Sequence, residues 1–184
     1  MEITPLPIPG LLLIKPKVFS DQRGHFMEFY HRKRACELGL TVEFVQDNES
    51  YSHRGSLRGL HFQAPPHAQG KLVRVAMGRV WDVVVDIRKG SPTYGNWYGV
   101  ELSAQNFLQL YVPPGMAHGF AVLEEHTLFQ YKCSQYYHRE SEGGLLWNDP
   151  DIGIEWPLSD PVISEKDLQQ PPFVAFESPF IYDS

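Results

Sequence analysis

The sequence predicts an all-β protein, a jelly-roll barrel with a few short helices, formed by a single domain of residues 1–184. Nine short runs are either apolar throughout or alternate between apolar and polar residues, and Gly, Pro, Asn, Asp or Ser bound each run. Fifteen glycines and fifteen prolines favour turns over long helices. Many short strands at close, regular spacing are typical of a sandwich or barrel, and a jelly roll fits this spacing best.

The predicted strands are, in chain order, Leu11–Val18, Thr41–Val45, Leu57–Phe62, Lys71–Met77, Val80–Ile87, Trp97–Leu102, Phe107–Val112, Gly119–Leu123 and Thr127–Cys133. Arg32–Leu38 is predicted as a helix that ends at Gly39, and Ser164–Gln169 as a second, shorter one. Gly78 and Arg79 have the form of a two-residue hairpin turn. Six prolines mark the last third of the chain, which we expect to wrap the outside of the barrel or a partner subunit.

Composition excludes several classes of protein. The net charge of −6 is well mixed along the chain, so no basic stripe exists and nucleic-acid binding is not expected. The apolar segment Ile8–Ile14 is too short to span a membrane and lacks the flanks of a signal peptide, so no membrane association is expected. Cys36 and Cys133 form no C-x-x-C pair, which favours a reducing, cytoplasmic location.

The richest chemistry lies in the tract from Leu57 to Lys71. A neutral imidazole such as His61 is well matched to removing a proton near pH 7. Lys71 can stabilise the negative charge that this removal creates, and Arg58 is a typical partner for phosphate. Together they indicate proton abstraction from a phosphorylated substrate. Arg58 and His61 have opposite strand parity, so both reach one cavity only if Gly59 forms a bulge or one of them acts from an edge.

A general base also needs a carboxylate to orient its other ring nitrogen. Asp82, Asp86 and Asp167 are the candidates, and spacing does not choose among them. Tyr131 shares a strand face with Phe129, and its hydroxyl is either a general acid or a satisfied barrel group.

Pro114–His118 has the P-x-G-x-x-H form of the second metal-binding motif of cupins, which are jelly-roll barrels. The first cupin motif supplies His-x-His and a carboxylate, whereas this chain has His61, Phe62 and Gln63 at that place. The ligand set is therefore incomplete, and a cupin-like barrel without a metal is expected. His118 has either a binding role or a packing role.

Taken together, the tracts resemble the dTDP-4-dehydrorhamnose 3,5-epimerase family. The matching segments span most of the chain in family order: Phe19–Phe26, Gln46–Ser50, Leu57–Gln63, Gln69–Val73, Pro113–Phe120, Tyr131–Tyr137, Gly143–Pro150 and Ser164–Asp167. The resemblance implies a metal-free jelly roll that works as a homodimer with exchanged strands. It also implies inversion of C3 and C5 of dTDP-4-dehydro-6-deoxy-D-glucose to give dTDP-4-dehydro-L-rhamnose. Ala64–Ala68 is the stretch least similar to the family.

The resemblance also implies a role for each matching residue. His61 corresponds to the general base, Asp167 to its orienting carboxylate, Tyr131 to the proton donor and Lys71 to the group facing the 4-keto oxygen. Phe19 is expected to stack on thymine, and Arg23, Arg58 and Lys166 to hold the nucleotide or its diphosphate. The remaining expected ligand contacts are Glu28, Gln46, Asp47, Asn48, Asp82, His118, Tyr137 and Glu142.

No cofactor is expected, because the reaction needs no redox step and the chain has no G-x-G-x-x-G motif. Three alternatives stay open. A mono-epimerase would invert only C3 or C5 of a related dTDP-4-keto-6-deoxy sugar with the same catalytic residues. The others are a metal-dependent cupin and a sugar-nucleotide-binding barrel without activity.

Overall fold

Thirteen short strands dominate the computed structural model, which describes residues 1–183. They are β1 (Glu2–Pro5), β2 (Leu12–Lys15), β3 (Val18–Asp21), β4 (Gly24–Met27), β5 (Gln46–Ser52), β6 (Leu57–Gln63), β7 (Lys71–Met77), β8 (Arg79–Asp86), β9 (Trp97–Ser103), β10 (Gln109–Val112), β11 (Met116–Val122), β12 (Thr127–Cys133) and β13 (Glu142–Gly144). The helices are α1 (Arg32–Glu37), α2 (Glu165–Leu168) and two 3₁₀ turns at Arg139–Ser141 and Phe173–Ala175. The predicted all-β class is confirmed.

The strands form two large antiparallel sheets. One has the order β1-β2-β10-β7-β12-β5 and the other the order β13-β6-β11-β8-β9. The hairpin β3–β4 is a separate two-stranded sheet. From β5 to β13, consecutive strands alternate between the two large sheets except at the β8–β9 hairpin, an order that fits a jelly roll.

The main core lies between the two sheets. Val73 and Val75 of β7 pack there with Val80 and Val84 of β8 and with Phe129 of β12. The opposite face of β8 carries Val83 and the other residues of its parity, and it packs outside the barrel against the C-terminal segments. The last third of the chain therefore wraps the barrel, as predicted.

Three predicted elements differ from the structure in kind, while the strands predicted at Phe107–Val112 and Gly119–Leu123 begin instead at Gln109 and Met116. Thr41–Val45 is not a strand, because Val42 and Phe44 pack on the outer cluster beside α1 and the ladder with β12 begins only at Gln46. Leu11–Val18 is two strands, β2 and β3, because Pro16 interrupts the hydrogen-bond ladder. Gly78–Arg79 is not a hairpin turn, since β7 and β8 belong to different sheets and the chain crosses between them at Gly78.

Both predicted helices are present. His31 caps α1, and Gly39 has a φ of +93°, which favours glycine and ends the helix. Ser164 caps α2 by accepting a hydrogen bond from the backbone N–H of Asp167. Among residues 1–183, no helix is long and apolar enough to cross a membrane.

Candidate active site

Two neighbouring cavities, of about 480 and 350 Å³, share three lining residues: His61, Lys71 and Tyr131. His61 comes from β6 in the five-stranded sheet, whereas Lys71 and Tyr131 come from β7 and β12 in the six-stranded sheet. The imidazole and the phenol therefore border the same space from opposite walls of the barrel. Residues of the α2 segment, Lys166 and Asp167 among them, line the larger cavity.

The structure selects Asp167 as the partner of His61. Nε2 of His61 lies 2.6 Å from Oδ1 of Asp167, which is 3% exposed. Burial by itself raises the pKa of this carboxyl, but hydrogen bonds from His61, the Gly59 N–H and Ser164 outweigh burial and lower it. Asp167 is thus ionised at neutral pH and holds the proton of His61 on Nε2, which leaves the lone pair of Nδ1 free to act as a base.

A β-bulge brings Arg58 and His61 into the same cavity. His118 on β11 pairs with His61, and Phe120, two residues later, pairs with Arg58, three residues earlier. One extra residue in β6 reverses the parity of the strand, which settles the conflict found in the sequence. Gly59 has a φ of +122°, and a Cβ at this position would lie 2.6 Å from the Cα of Gly119, so only glycine fits there.

Tyr131 keeps its proton to high pH. Burial raises the pKa of its phenol, while Asn48 and the charge of Arg58 lower it in part. Since the net pKa lies above the ordinary value, Tyr131 is protonated at neutral pH and can donate a proton into the cavity.

Lys71 begins β7 and shares an inward face with Val73. Burial lowers the pKa of its ammonium, while Asp82 and Glu142 counteract this in part. A desolvated ammonium interacts strongly with negative charge that develops beside it, because little water screens the interaction.

His118 and Asp82 form a buried pair at the base of the larger cavity. Nε2 of His118 lies 3.0 Å from both carboxylate oxygens of Asp82, and Asp82 is fully buried. His118 lines the cavity, whereas Asp82 lies behind it and raises the pKa of Lys71 through its charge. Burial raises the pKa of Asp82, and His118 counteracts this in part. The imidazole of the cupin-like motif is therefore engaged with a carboxylate.

The smaller cavity is lined by polar side chains from β5, from the segment after β12 and from β13. Gln46 and Asn48 of β5 line it together with Tyr137 and Glu142. The hydroxyl of Tyr137 donates a hydrogen bond to Oε2 of Glu142 over 3.1 Å, and the same carboxylate oxygen lies 2.6 Å from Nζ of Lys166. The two cavities are therefore linked by hydrogen bonds and charge as well as by their shared residues.

Four of the expected site residues lie elsewhere. Phe19 and Arg23 belong to the exposed β3–β4 hairpin, where Arg23 pairs with Asp21 over 2.6 Å. Glu28 pairs with Arg34 of α1 over 2.5 Å. Asp47 lies on the opposite face of β5 from Gln46 and Asn48, and its carboxylate pairs with Lys132 over 2.9 Å.

The floor of the larger cavity is aromatic, a feature that the sequence analysis did not single out. The rings of Phe120 and Phe129 are stacked with centroids 4.0 Å apart, and both line the cavity. The sequence could have indicated Phe129 as a cavity residue, because it shares a strand face with Tyr131. Phe120 gave no such indication, because it lies in an apolar run in which apolar and polar residues do not alternate.

Comparison with known proteins agrees with this geometry. The family model of dTDP-4-dehydrorhamnose 3,5-epimerase matches residues 5–175. The chain belongs to this family. It is 54% identical to the dTDP-4-dehydrorhamnose 3,5-epimerase of Salmonella typhimurium, over 93% of this chain and 94% of the relative. The expected family, and with it the expected epimerase function and cupin-like jelly roll, are confirmed.

Solved structures of a double epimerase and of a mono-epimerase are both similar to this chain. The dTDP-6-deoxy-D-glucose-3,5-epimerase of Legionella pneumophila, solved with dTDP-4-keto-L-rhamnose, has a TM-score of 0.95 and 45% identity, covering 100% of this chain and 99% of that one. A 3'-monoepimerase from Streptomyces bikiniensis, solved with dTDP-quinovose, has a TM-score of 0.87 and 34% identity, covering 92% and 87%. The similarity therefore favours the double epimerase.

Proposed function

We propose that this protein inverts C3 and C5 of dTDP-4-dehydro-6-deoxy-D-glucose, giving dTDP-4-dehydro-L-rhamnose. The observation that carries the proposal is the placement of His61 and Tyr131 on different sheets around one cavity that also contains Lys71. Inversion needs an acid and a base on opposite faces of the sugar ring, since a single group would return the proton to the side it came from.

Each inversion uses the same two proton transfers. Nδ1 of His61 takes the proton from the carbon next to the C4 carbonyl, and the electron pair of the broken C–H bond moves to O4 to form an enolate. Tyr131 then delivers its proton to the opposite face of that carbon. Solvent afterwards takes the proton from His61 and returns one to Tyr131, so the enzyme is regenerated. General-base catalysis of this type contributes about 10²–10⁴-fold in rate.

Lys71 stabilises the enolate. Its ammonium lies in the shared part of the two cavities, where burial keeps water from screening its charge. By comparison with other donors to an oxyanion, this interaction contributes about 3 kcal/mol to the transition state. We assign His118 to a contact with the sugar, and Asp82 to holding His118 in position.

The nucleotide end of the substrate occupies the smaller cavity and the rim beside α2. Arg58 and Lys166 supply cations for the diphosphate, which suits Arg58 in particular because its guanidinium can bind two oxygens at once. Gln46, Asn48, Tyr137 and Glu142 offer amides, a ring and a carboxylate to the nucleoside. Asp47 faces away from both cavities, so we leave it out of the contacts made within this subunit.

We further propose that the active unit is a homodimer in which the β3–β4 hairpin completes the site of the partner subunit. Phe19 and Phe26 are 53% and 69% exposed on this hairpin. Neighbouring aromatic side chains exposed in this way often mark a protein–protein interface. Phe19, Arg23 and Glu28 would then reach the partner's nucleotide, which explains why they lie away from the cavity of their own subunit. We also propose a cytoplasmic location, which two free cysteines support.

Isotope exchange in deuterated water tests the reaction. The wild-type protein, given the 4-keto substrate, is expected to incorporate deuterium at both C3 and C5 and to form the L-configured product. Label and inversion at one carbon alone would assign the protein to the mono-epimerases. Binding of the substrate without any label would leave only a sugar-nucleotide-binding barrel.

A further inference from the structure

Tyr137 lies on a segment that no strand supports. Residues 134–141 connect β12 to β13 and end in a 3₁₀ turn, and Tyr137 is 55% exposed at the edge of the smaller cavity. Such a segment has few backbone partners of its own, so side chains from neighbouring elements must fix its position. The buried side chain of Gln63, at the end of β6, is one that does so, and Gln46 of β5 is another.

Gln63 is 5% exposed and all of its hydrogen bonds go to backbone groups. Its Nε2 donates to the carbonyl of Tyr136 over 2.9 Å, and its Oε1 accepts from the N–H of His138 over 2.8 Å. The second hydrogen of Nε2 goes to the carbonyl of His67. One buried amide therefore holds the backbone on both sides of Tyr137 and joins it to the segment that follows β6.

The two segments meet at further points nearer the surface. The rings of His67 and His138 stack with centroids 3.5 Å apart and an interplanar angle of 12°. Nδ1 of His67 lies 2.9 Å from Oγ of Ser141, and Nε2 of Gln69 donates to the carbonyl of Gln135 over 2.6 Å. These contacts keep the segments together. Gln46 of β5 accepts a hydrogen bond from the N–H of Tyr137 over 3.0 Å, whereas Gln63 holds the backbone on both sides of that residue.

We propose that Gln63 is a positioning residue for substrate binding, which acts by fixing Tyr137 and its hydrogen bond to Glu142 at the nucleotide end of the site. The inference rests on the proposed placement of the nucleotide beside Tyr137. Gln63 lies two residues after His61, at the position where a metallo-cupin carries a second histidine. Its amide instead fixes part of the wall of the smaller cavity.

The effect of Gln63 is on binding and not on the chemical step. His61 is held by Asp167 of α2, while Tyr131 and Lys71 lie on β12 and β7. The connecting segment touches the neighbourhood of Lys71 through Ser134 and Gly70, a contact in which Gln63 takes no part, because Gln63 bonds to the segment at residues 136 and 138. Releasing this segment therefore leaves the proton-transfer groups in place and costs affinity for the nucleotide part of the substrate. A KM effect with an unchanged kcat is the signature of an interaction made equally in the ground and transition states.

Steady-state kinetics on two variants test this. Gln63→Glu keeps the shape of the side chain but replaces the donor by an acceptor that faces two carbonyl oxygens, and Gln63→Met keeps the length with no hydrogen bonds. Each is expected to raise KM about tenfold with kcat within about twofold of wild type. Asn106→Asp is the matched control, because Asn106 holds a loop between β9 and β10 in the same way, donating to the carbonyl of Glu101 and accepting from the N–H groups of Ser103 and Leu108. It is expected to leave KM unchanged.

A double-mutant cycle with Tyr137→Ala separates this inference from the function on which it rests. Tyr137→Ala alone is expected to raise KM, and adding Gln63→Met is expected to raise it less than about twofold further. If Tyr137→Ala leaves KM unchanged, the proposed nucleotide placement is wrong. If Tyr137→Ala raises KM but Gln63→Met does not, or if the two effects multiply in full, the role of Gln63 is overturned. A fall in kcat of both folded Gln63 variants at unchanged KM also contradicts it.

Discussion

His61 and Tyr131 border one cavity from different sheets of the barrel. A jelly roll places its two sheets face to face, so residues on inward positions of β6 and β12 approach a bound sugar ring from two directions. This arrangement supplies the base and the acid that inversion at a carbon next to a ketone requires. The jelly roll itself therefore positions the base and the acid on opposite sides of the cavity.

Loss of the carboxylate beside His61 is expected to abolish most of the rate. In Asp167→Asn the amide no longer favours the tautomer with its proton on Nε2, so we expect kcat to fall about 10²–10⁴-fold with little change in KM. Asp149→Asn is the control, because Asp149 is equally buried and accepts backbone hydrogen bonds from Asp151, Ile152 and Phe173 outside the cavity. A similar loss of kcat in both variants would mean that Asp167 acts only through stability.

The fall in rate at high pH is expected to reflect loss of the positive charge of Lys71. Its pKa is lowered from the usual 10.5 by burial, whereas the pKa of Tyr131 is raised from 10.0. Both directions favour loss of the charge of Lys71 before loss of the proton of Tyr131 as the pH rises. We expect kcat to fall at a pH below 10.5, while circular dichroism shows that the protein stays folded.

A lysine-to-arginine variant distinguishes the two groups. In Lys71→Arg the guanidinium keeps its charge above pH 12, so the alkaline fall is expected to move to higher pH, although the absolute rate drops because the geometry changes. An alkaline limb at the same pH in both proteins would assign the titration to another group.

Chelation is expected to leave turnover unchanged. The imidazole of His118 is paired with Asp82, and the amide of Gln63 is bonded to the backbone of two loops. Two of the positions that a metallo-cupin would use as ligands are therefore committed to other partners. Dialysis against a strong chelator followed by metal analysis checks this, and activity that disappears with a stoichiometric metal and returns on its addition would restore the metal-dependent alternative.

Exchange of the hairpin between subunits predicts complementation. His61→Asn lacks the base but keeps its hairpin, and Arg23→Ala lacks a hairpin cation but keeps the base. When the two variants are refolded together, half of the dimers are hybrids with one intact site, so about a quarter of wild-type activity is expected at a substrate concentration too low for Arg23→Ala alone to turn over. No recovery from a mixture that forms hybrid dimers would show that Arg23 serves its own subunit.

The predicted strands of the core agree closely with the structure where the inward face of the strand is mainly apolar. Lys71–Met77 and Thr127–Cys133 have the predicted bounds, because their apolar side chains fill the space between the sheets. By contrast, β5 was not among the predicted strands. Its inward residues Gln46 and Asn48 face a polar cavity instead of a hydrophobic core, so the usual alternation of apolar and polar residues is missing.

The site could be predicted in part. The residue types of His61, Arg58 and Lys71 indicated proton abstraction, but the local pattern did not choose between Asp82, Asp86 and Asp167. That choice depends on long-range packing, since 106 residues separate Asp167 from His61 in the chain. The sequence also did not decide whether a bulge forms at Gly59, because the register there is set by the pairing of β6 with β11 and not by β6 alone.

Isotope wash-in by the two single variants of the facing pair tests the account most directly. In deuterated water, Tyr131→Phe is expected to exchange the proton next to the ketone through His61 without forming the inverted product, whereas His61→Asn is expected to do neither. Tyr98→Phe, on a tyrosine that packs against the core without lining the cavity, should behave as wild type. Inverted product at an unchanged rate from Tyr131→Phe, or normal exchange by His61→Asn, would contradict a base and an acid acting from opposite walls.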